Sequence, residues 1–350
     1  MSLRATDTGG SGSPEGVPPS APVAAPAGAS PTPEPSNPAP PTPAPQPPAA
    51  AGAAVPPAPP AVAVAAAAAV AAAAPLPQPT PAALAPVVSF DRVTKVYDNG
   101  FMAIRDVTFT VEDRPGHMEF VTILGPSGSG KSTILRLIAG LPPQHPATEG
   151  TVLVVGRPVN GPGADRGMVF QDYTSFDNRT VIDNIAFGLE CRGVPKQERV
   201  EQALGWIEKV GLHVRDDAHK YPHQLSGGMR QRVAIARTLI LQPRIVLMDE
   251  PFGALDPRTR LNMQDLLVSL AREAQATVFF VTHSIEEAVY LGDRTFILSS
   301  APGTILKQLA VPPPDFPARQ MQRQPEFMEI VFGIREIMET LESSTRAGDE

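Results

Sequence analysis

Gly125-Pro126-Ser127-Gly128-Ser129-Gly130-Lys131-Ser132-Thr133 reads G-x-x-x-x-G-K-S, the spacing of the phosphate-binding loop called Walker A. Phe120-Val121-Thr122-Ile123-Leu124 precedes it, a continuous apolar run that predicts a buried strand. Thr133 to Ala139 follows with apolar residues at helical spacing, and Gly140 is a C-terminal stop signal. The loop therefore joins a strand to the N-terminus of a helix. Gly128 and Gly130 carry no Cβ, so the backbone can turn tightly and approach phosphate oxygens. Successive N–H groups then converge on the anion, and the helix dipole adds to the attraction. In this motif Lys131 reaches the β- and γ-phosphates and the Ser132 hydroxyl ligates Mg²⁺. Gly125, Pro126, Ser127, Ser129 and Thr133 complete the cradle. A ligand-free Gly/Ser turn would not require strand, Lys-Ser pair and helix to agree.

Composition divides the 350 residues unevenly. Of the 42 prolines, 24 fall in residues 1–86, where Arg4, Asp7, Glu15 and Glu34 are the only charges and aromatic residues are absent. Such a stretch cannot bury enough apolar surface to offset its ordering entropy, which predicts a disordered tail. Within it, Ala61 to Ala74 is an Ala/Val run of 14 residues. A membrane span needs about 20, and no basic segment stands immediately before the run. A transient helix in a disordered arm is the better reading. No later stretch is long and apolar enough to span a bilayer, so membrane association would go through partner subunits. The net charge of −7 argues against general nucleic-acid binding. Cys191, the only cysteine, forbids an intramolecular disulfide and fits a reducing compartment.

Residues 87–320 read as one α/β domain. Val87 to Phe90 with Val93, and Val107 to Val111, predict strands, with a turn at Lys95 to Gly100 between them. Tyr97 in that turn could stack on adenine, given the phosphate loop downstream. Asp113 to Met118 is a turn, Thr151 to Val155 a strand, and Gly167 to Phe170 a short strand ending at Gln171. From about Asp172 to Ser226 the pattern becomes helical. Val181, Ile182, Ile185, Ala186 and Leu189 share one face; Val200, Ala203, Leu204, Ile207 and Val210 share another. Leu225 to Arg232 reads as a Gly-rich cap opening an apolar helix. Arg244 to Pro251 is an apolar strand ending in Asp249 and Glu250, buried on both faces as in a parallel sheet. Arg258 to Ala274 predicts a helix, Ala276 to Val281 a strand ending at Thr282-His283, Ile285 to Leu291 a helix, and Thr295 to Leu298 a last strand. Strands alternating with helices indicate a parallel α/β sheet. Residues 321–350 hold an amphipathic helix, Phe327 to Leu341, with Met328, Val331, Phe332, Ile334, Ile337 and Met338 on its apolar face.

Walker A, Leu225-Ser226-Gly227-Gly228-Met229 and Leu247-Met248-Asp249-Glu250-Pro251 follow one another in an order that resembles the ATP-binding subunit of an ABC transporter. L-S-G-G is that family's signature. Gly227 to Arg232, Met248 to Asp256 and Thr282 to Val289 look importer-like, and Ser299-Ser300-Ala301-Pro302-Gly303-Thr304-Ile305 resembles the nitrate/sulfonate/taurine import group. The resemblance covers Val87 to about Ala310. It implies a P-loop NTPase fold with a mixed sheet core, an antiparallel β subdomain and a helical subdomain at about 172–226. Two features depart from the pattern. The Pro/Ala tail is foreign to the usual compact subunit. Tyr173 to Arg179, the loop that meets the membrane partner, lacks the Pro-Trp pair expected of the nitrate/taurine group.

Roles follow. Asp249 at a strand end would hold Mg²⁺, directly or through water. Glu250 would polarise the attacking water as general base. Gln171 could sense Mg²⁺ and the γ-phosphate. The resemblance makes His283 the switch histidine on the γ-phosphate and Asp256 part of a loop crossing a dimer interface; Asp256 can also cap the helix at Arg258. It also implies that Ser226, Gly227 and Gly228 bind the γ-phosphate held by the opposite subunit, so that two chains close head to tail over two ATP molecules. The implied partners are that second ATPase subunit, integral membrane permeases and, indirectly, a substrate-binding protein. The implied location is the cytoplasmic face of the plasma membrane. A non-transport ATPase of the same family, acting in regulation or on nucleic acid, is the alternative. Such proteins show long coiled coils or tandem ATPase domains, whereas this chain has one Walker A, one signature and no basic patch. A binding module with the ATPase as scaffold fits the full set of catalytic residues worse.

Deleting residues 1–80 is expected to leave ATP hydrolysis and melting temperature nearly unchanged. A large fall in the truncated protein's melting temperature, measured by calorimetry, would mean that the tail packs on the domain.

Overall fold

The runs that read as unbroken apolar strands in the sequence meet in one six-stranded sheet with the order β10-β9-β3-β8-β7-β6. Its strands are β3 (Phe120–Leu124), β6 (Arg166–Val169), β7 (Ile245–Asp249), β8 (Thr277–Thr282), β9 (Arg294–Leu298) and β10 (Ile305–Ala310). The computed structural model describes residues 86–112, 118–172 and 175–347, with side chains to 340, all within the second of the chain's two units, Ala58–Glu350. The predicted tail and its Ala61–Ala74 run, most of the 113–118 turn and Tyr173 lie outside these residues.

The continuous hydrophobicity has a simple cause. Along β7 and β8, alternate side chains enter two different cores. Ile245, Leu247, Phe279 and Val281 join one; Val246, Met248, Val278 and Phe280 join the other. A strand covered on both faces has no polar side to display. The first core lies beneath a second, antiparallel sheet, β2-β1-β4-β5, built from β1 (Val88–Val96), β2 (Met102–Val111), β4 (Glu149–Val154) and β5 (Arg157–Pro158). Helix α1 (Lys131–Ala139) contributes Ile134, Leu135, Leu137 and Ile138 to this core and stops at Gly140, whose φ of 75° suits glycine.

The second core takes in the helices. Helices α2 (Val181–Cys191), α3 (Lys196–Lys209) and α4 (Val214–Asp217) form the helical region expected between 172 and 226. Helix α5 (Gly227–Leu239) starts at the signature, with Ser226 Oγ accepting a hydrogen bond from the Met229 N–H at 3.3 Å. Helix α6 (Pro257–Ala274) and helix α7 (Ile285–Leu291) follow β7 and β8. Two more helices follow: the short α8 (Ala318–Met321) and the 23-residue α9 (Pro325–Ala347), which packs on α7.

Several expectations change. Thr295–Leu298 is not the last strand, because Ile305–Ala310 pairs antiparallel with β9, which makes the sheet mixed, as the family resemblance implies, rather than parallel, as the strand–helix alternation indicates. β10 is an edge strand, with Gln308 and Ala310 exposed and only Leu309 buried, so it lacks the unbroken apolar run of its neighbours. Lys95 and Val96 belong to β1, and the turn begins at Tyr97. Tyr97 is half-buried in that turn. On the C-terminal helix, Phe327, Val331 and Ile334 are buried as expected, but Phe332 is 54% exposed.

Phe327→Ala is expected to cost about 3–5 kcal/mol, the usual loss for a fully buried phenylalanine. Phe332→Ala should be nearly neutral. Urea unfolding of both variants checks this: only the first should lower the midpoint, with the slope unchanged.

Candidate active site

Three neighbouring parallel strands deliver their carboxyl ends to one place. Leu124 of β3 is level with Thr282 of β8, and Val281 of β8 is level with Asp249 of β7. The phosphate loop, the Asp249-Glu250 pair and His283 all begin where those strands stop. In open α/β sheets such carboxyl ends form the ligand crevice.

The side chains converge accordingly. Ser132 Oγ donates to Asp249 Oδ1 at 2.7 Å. Lys131 is 4% exposed, and its ammonium donates to the carbonyls of Gly125 and Pro126 at 3.0 and 2.8 Å. Glu250 Oε1 stands 3.9 Å from Lys131 Nζ, and Glu250 Oε2 stands 3.1 Å from His283 Nδ1. Burial pulls the Lys131 pKa below the ordinary lysine value, with the fields of Glu250 and Asp249 opposing the shift. Burial pushes the Asp249 carboxyl up, against the Ser132 hydrogen bond and the charge of Arg136. Glu250 has φ 44°, a left-handed backbone unusual for a residue with a side chain. Strained residues of this kind cluster at active sites.

The loop has the shape the motif demands. Gly130 has φ 84°, and a Cβ there would lie 2.4 Å from Ile104 Cγ2. Ser129 is fully buried, and its Oγ has no partner among the described residues. An orphaned hydroxyl and a buried ammonium inside a glycine-lined turn fit a phosphate chain. The Ser132 hydroxyl beside the Asp249 carboxylate fits a hard divalent cation that takes its remaining ligands from phosphate and water, as Mg²⁺ does. Among the described residues no group of three His, Cys, Asp or Glu could hold a metal alone.

Of the other expected residues, Tyr97 is bonded directly to the end of the phosphate loop. Tyr97 shares a 3.0 Å hydrogen bond with Thr133 of α1, and Gln144 Nε2 donates to the Tyr97 hydroxyl at 3.2 Å. Gln171 is exposed in the turn after β6. Asp256 caps α6, accepting from the N–H groups of Arg258 and Thr259 at 3.1 and 3.0 Å. Hydrogen bonding to Thr259 holds its carboxyl below the usual value. Ser226, Gly227 and Gly228 sit at the N-terminus of α5, where a Cβ on Gly228 would meet Thr259 Cγ2 at 2.9 Å. Among the described residues no hydrogen bond links them to the phosphate loop.

Two participants escaped the sequence reading. Arg136 stands 3.8 Å from Asp249 Oδ2. It lies four residues after Ser132, one helical turn on, so spacing alone could have found it. Gly303 braces the loop from outside. Its N–H donates to the Ala103 carbonyl at 2.9 Å, and its own carbonyl accepts from Arg105 N–H at 3.0 Å. A Cβ there would stand 1.9 Å from the Ser129 carbonyl oxygen. Ser299 Oγ ties the same stretch together, donating to Pro302 O at 3.1 Å and accepting from Thr304 N–H at 2.9 Å. The group-like Ser299–Ile305 stretch thus has a physical role as a bracket behind the phosphate loop.

Gly303→Ala must push the Ser129 backbone aside. Its ATP dissociation constant, measured by calorimetric titration, is expected to rise about tenfold or more, since a displacement of about 1 Å in a positioning element can cost far more.

Comparison with known proteins agrees with this geometry. Residues 104–253 match the family model described as ABC transporter. An uncharacterised ABC transporter ATP-binding protein of Methanocaldococcus jannaschii is 52% identical over 218 residues, 61% of this chain and 78% of that protein. The nitrate import ATP-binding protein NrtD of Synechocystis sp. is 43% identical over 249 residues, 69% of this chain and 90% of that protein. Among solved structures, the dimeric post-hydrolysis state of the ATP-binding cassette MJ0796, bound to ADP and Pi, is 34% identical. It covers 64% of this chain and 99% of its own, with a TM-score of 0.55. With this sequence coverage and this fold, the chain belongs to the ABC transporter ATP-binding family.

Proposed function

We propose that this chain binds and hydrolyses ATP to drive solute import through separate membrane subunits, in a transporter of the nitrate/sulfonate/taurine type. The observation that carries the reading is the convergence of Lys131, Ser132, Asp249, Glu250 and His283 at three adjacent strand ends. Relatives named for nitrate and taurine import support the group.

Each residue has a task. Gly125 to Thr133 wraps the phosphates with backbone N–H groups, and Lys131 supplies a buried positive charge. Tyr97 offers its ring to the adenine while its hydroxyl holds it against α1. Ser132 and Asp249 would hold Mg²⁺, with Gln171 a further candidate ligand; the ion would supply charge neutralisation along the phosphates. Glu250 accepts the proton of the attacking water, which makes the water a better nucleophile toward the γ-phosphorus. His283, tethered to Glu250, contacts the γ-phosphate oxygens.

Ser226, Gly227 and Gly228 form a donor-rich helix start that no hydrogen bond among the described residues ties to the phosphate loop of its own chain. Asp256 sits beside it at the next helix N-terminus. We therefore pair this face with the phosphate loop of a second ATPase subunit, head to tail, so that each ATP is enclosed by two chains. Loss of the γ-phosphate removes those contacts and lets the pair open. No helix among the described residues is long and apolar enough to cross a membrane. A groove of about 550 Å³ lined by Phe170, Phe176, Phe187, Leu241, Arg192 and Arg237 is the proposed seat of a permease segment. Phe176 and Phe187 pack there as a tilted pair, ring centroids 4.5 Å apart and planes 55° from parallel, where the import group's Pro-Trp pair is missing. The proposed location is the cytoplasmic face of the membrane, with a substrate-binding protein reached only through the permease.

Glu250→Gln tests the reading. It should keep ATP affinity, lose about 10²- to 10⁴-fold in turnover, and shift to a dimer in ATP by light scattering. Near-normal hydrolysis would remove Glu250 from the role of base, and a monomer in saturating ATP would sink the head-to-tail pairing.

A further inference from the structure

The turn between β1 and β2 carries a second aromatic ring that the fold does not use. Phe101 is 48% exposed, although the buried face of β2 starts only two residues later, at Ala103 and Ile104. Much of its side chain therefore stays open to solvent. Its position is nonetheless closely fixed. Tyr97 N–H donates to the Phe101 carbonyl at 2.9 Å, and Gly100 N–H donates to the Tyr97 carbonyl at 2.9 Å. Phe101 N–H donates to Asn99 Oδ1 at 3.0 Å, and Gly100 takes φ 80° to close the turn. The two rings lie 6.4 Å apart and within 16° of parallel.

Tyr97 is anchored in turn on the nucleotide side. Its hydroxyl bridges Thr133, in the phosphate loop itself, and Gln144. The turn therefore holds Phe101 beside Tyr97, with a ring plane nearly parallel to that of Tyr97. We infer that Phe101 is a second nucleobase-contacting residue, which with Tyr97 forms an aromatic platform for the planar base of the triphosphate. The inference rests on the proposed stacking of Tyr97 on adenine and extends it. A base laid there covers the apolar surface that the fold leaves open. Aromatic stacking reads the flat face of the base rather than its edge, so Phe101 contributes affinity for the base and none for the phosphates.

Calorimetric titration of the full-length chain with ATP tests this, with inorganic tripolyphosphate, which lacks the base, as competitor. Phe101→Ala should raise the ATP dissociation constant about tenfold, the order of one base–aromatic stack, and leave the tripolyphosphate constant unchanged. Phe101→Tyr should restore ATP affinity, while Phe101→Leu should not. Unchanged ATP affinity in Phe101→Ala, alongside weakened affinity in Tyr97→Ala, would overturn the role of Phe101 and leave Tyr97 in place. Full recovery by Phe101→Leu, or a parallel loss for tripolyphosphate, would also overturn it. Unchanged affinity in Tyr97→Ala would remove the stacking reading beneath it.

Discussion

The parallel pairing of β3, β8 and β7 is the constraint on which the site depends. Backbone hydrogen bonds between these strands fix register, and register fixes which residues reach the crevice together. Leu124 stands level with Thr282, and Asp249 with Val281 one residue before it, because their strands are paired there. A slip of one residue in β7 would turn Asp249 to the opposite face and exchange the side chains that fill the two cores. The cores resist that slip, since Val246, Met248, Ile245 and Leu247 are all fully buried. Hydrophobic packing therefore enforces the geometry of a polar site that it does not touch.

The site itself is a local compromise. A lysine and an aspartate almost wholly removed from water are costly unless paired. Lys131 is satisfied by two loop carbonyls and by the field of Glu250 and Asp249; Asp249 is satisfied by Ser132 and Arg136. Opposite shifts in the two pKa values follow from one cause, desolvation. The hydroxyl of Ser129 and the left-handed backbone of Glu250 are further tensions that a folded scaffold must carry. Such tensions concentrate where binding of an anion would relieve them. The bracket at Gly303, the antiparallel sheet at Ala103 and Ile104, and α1 hold the loop from three sides, so the strain is not relaxed by movement of the loop.

Much of this was written in the order of residues. The phosphate loop, its strand and its helix were legible because each carries a local signal: a glycine spacing, an unbroken apolar run, a 3.6-residue period and a glycine stop. The signature helix and its Ser226 cap, the acidic end of β7, and the helix following His283 were legible for the same reason. Local hydrogen bonds and local burial patterns set them, and both repeat along the chain. The stripe on the C-terminal helix was legible only in part, because Phe332 has the right spacing and the wrong surroundings.

What the chain order could not supply is contact between distant segments. β10 has no unbroken apolar run, Lys307 and Gln308 interrupting it, and its place at the edge is decided by pairing with β9. The need for glycine at position 303 comes from the Ser129 backbone, which only the folded chain brings against it. Tyr97 could be suspected of stacking, but its tie to Thr133 and the alignment of Phe101 arise from the way β1 turns into β2 above α1. The sequence by itself determined the elements and the chemical repertoire, since propensity, periodicity and motif spacing act within a few residues. The tertiary structure alone decided which of those residues meet, because register and close packing are properties of pairs of segments rather than of either one.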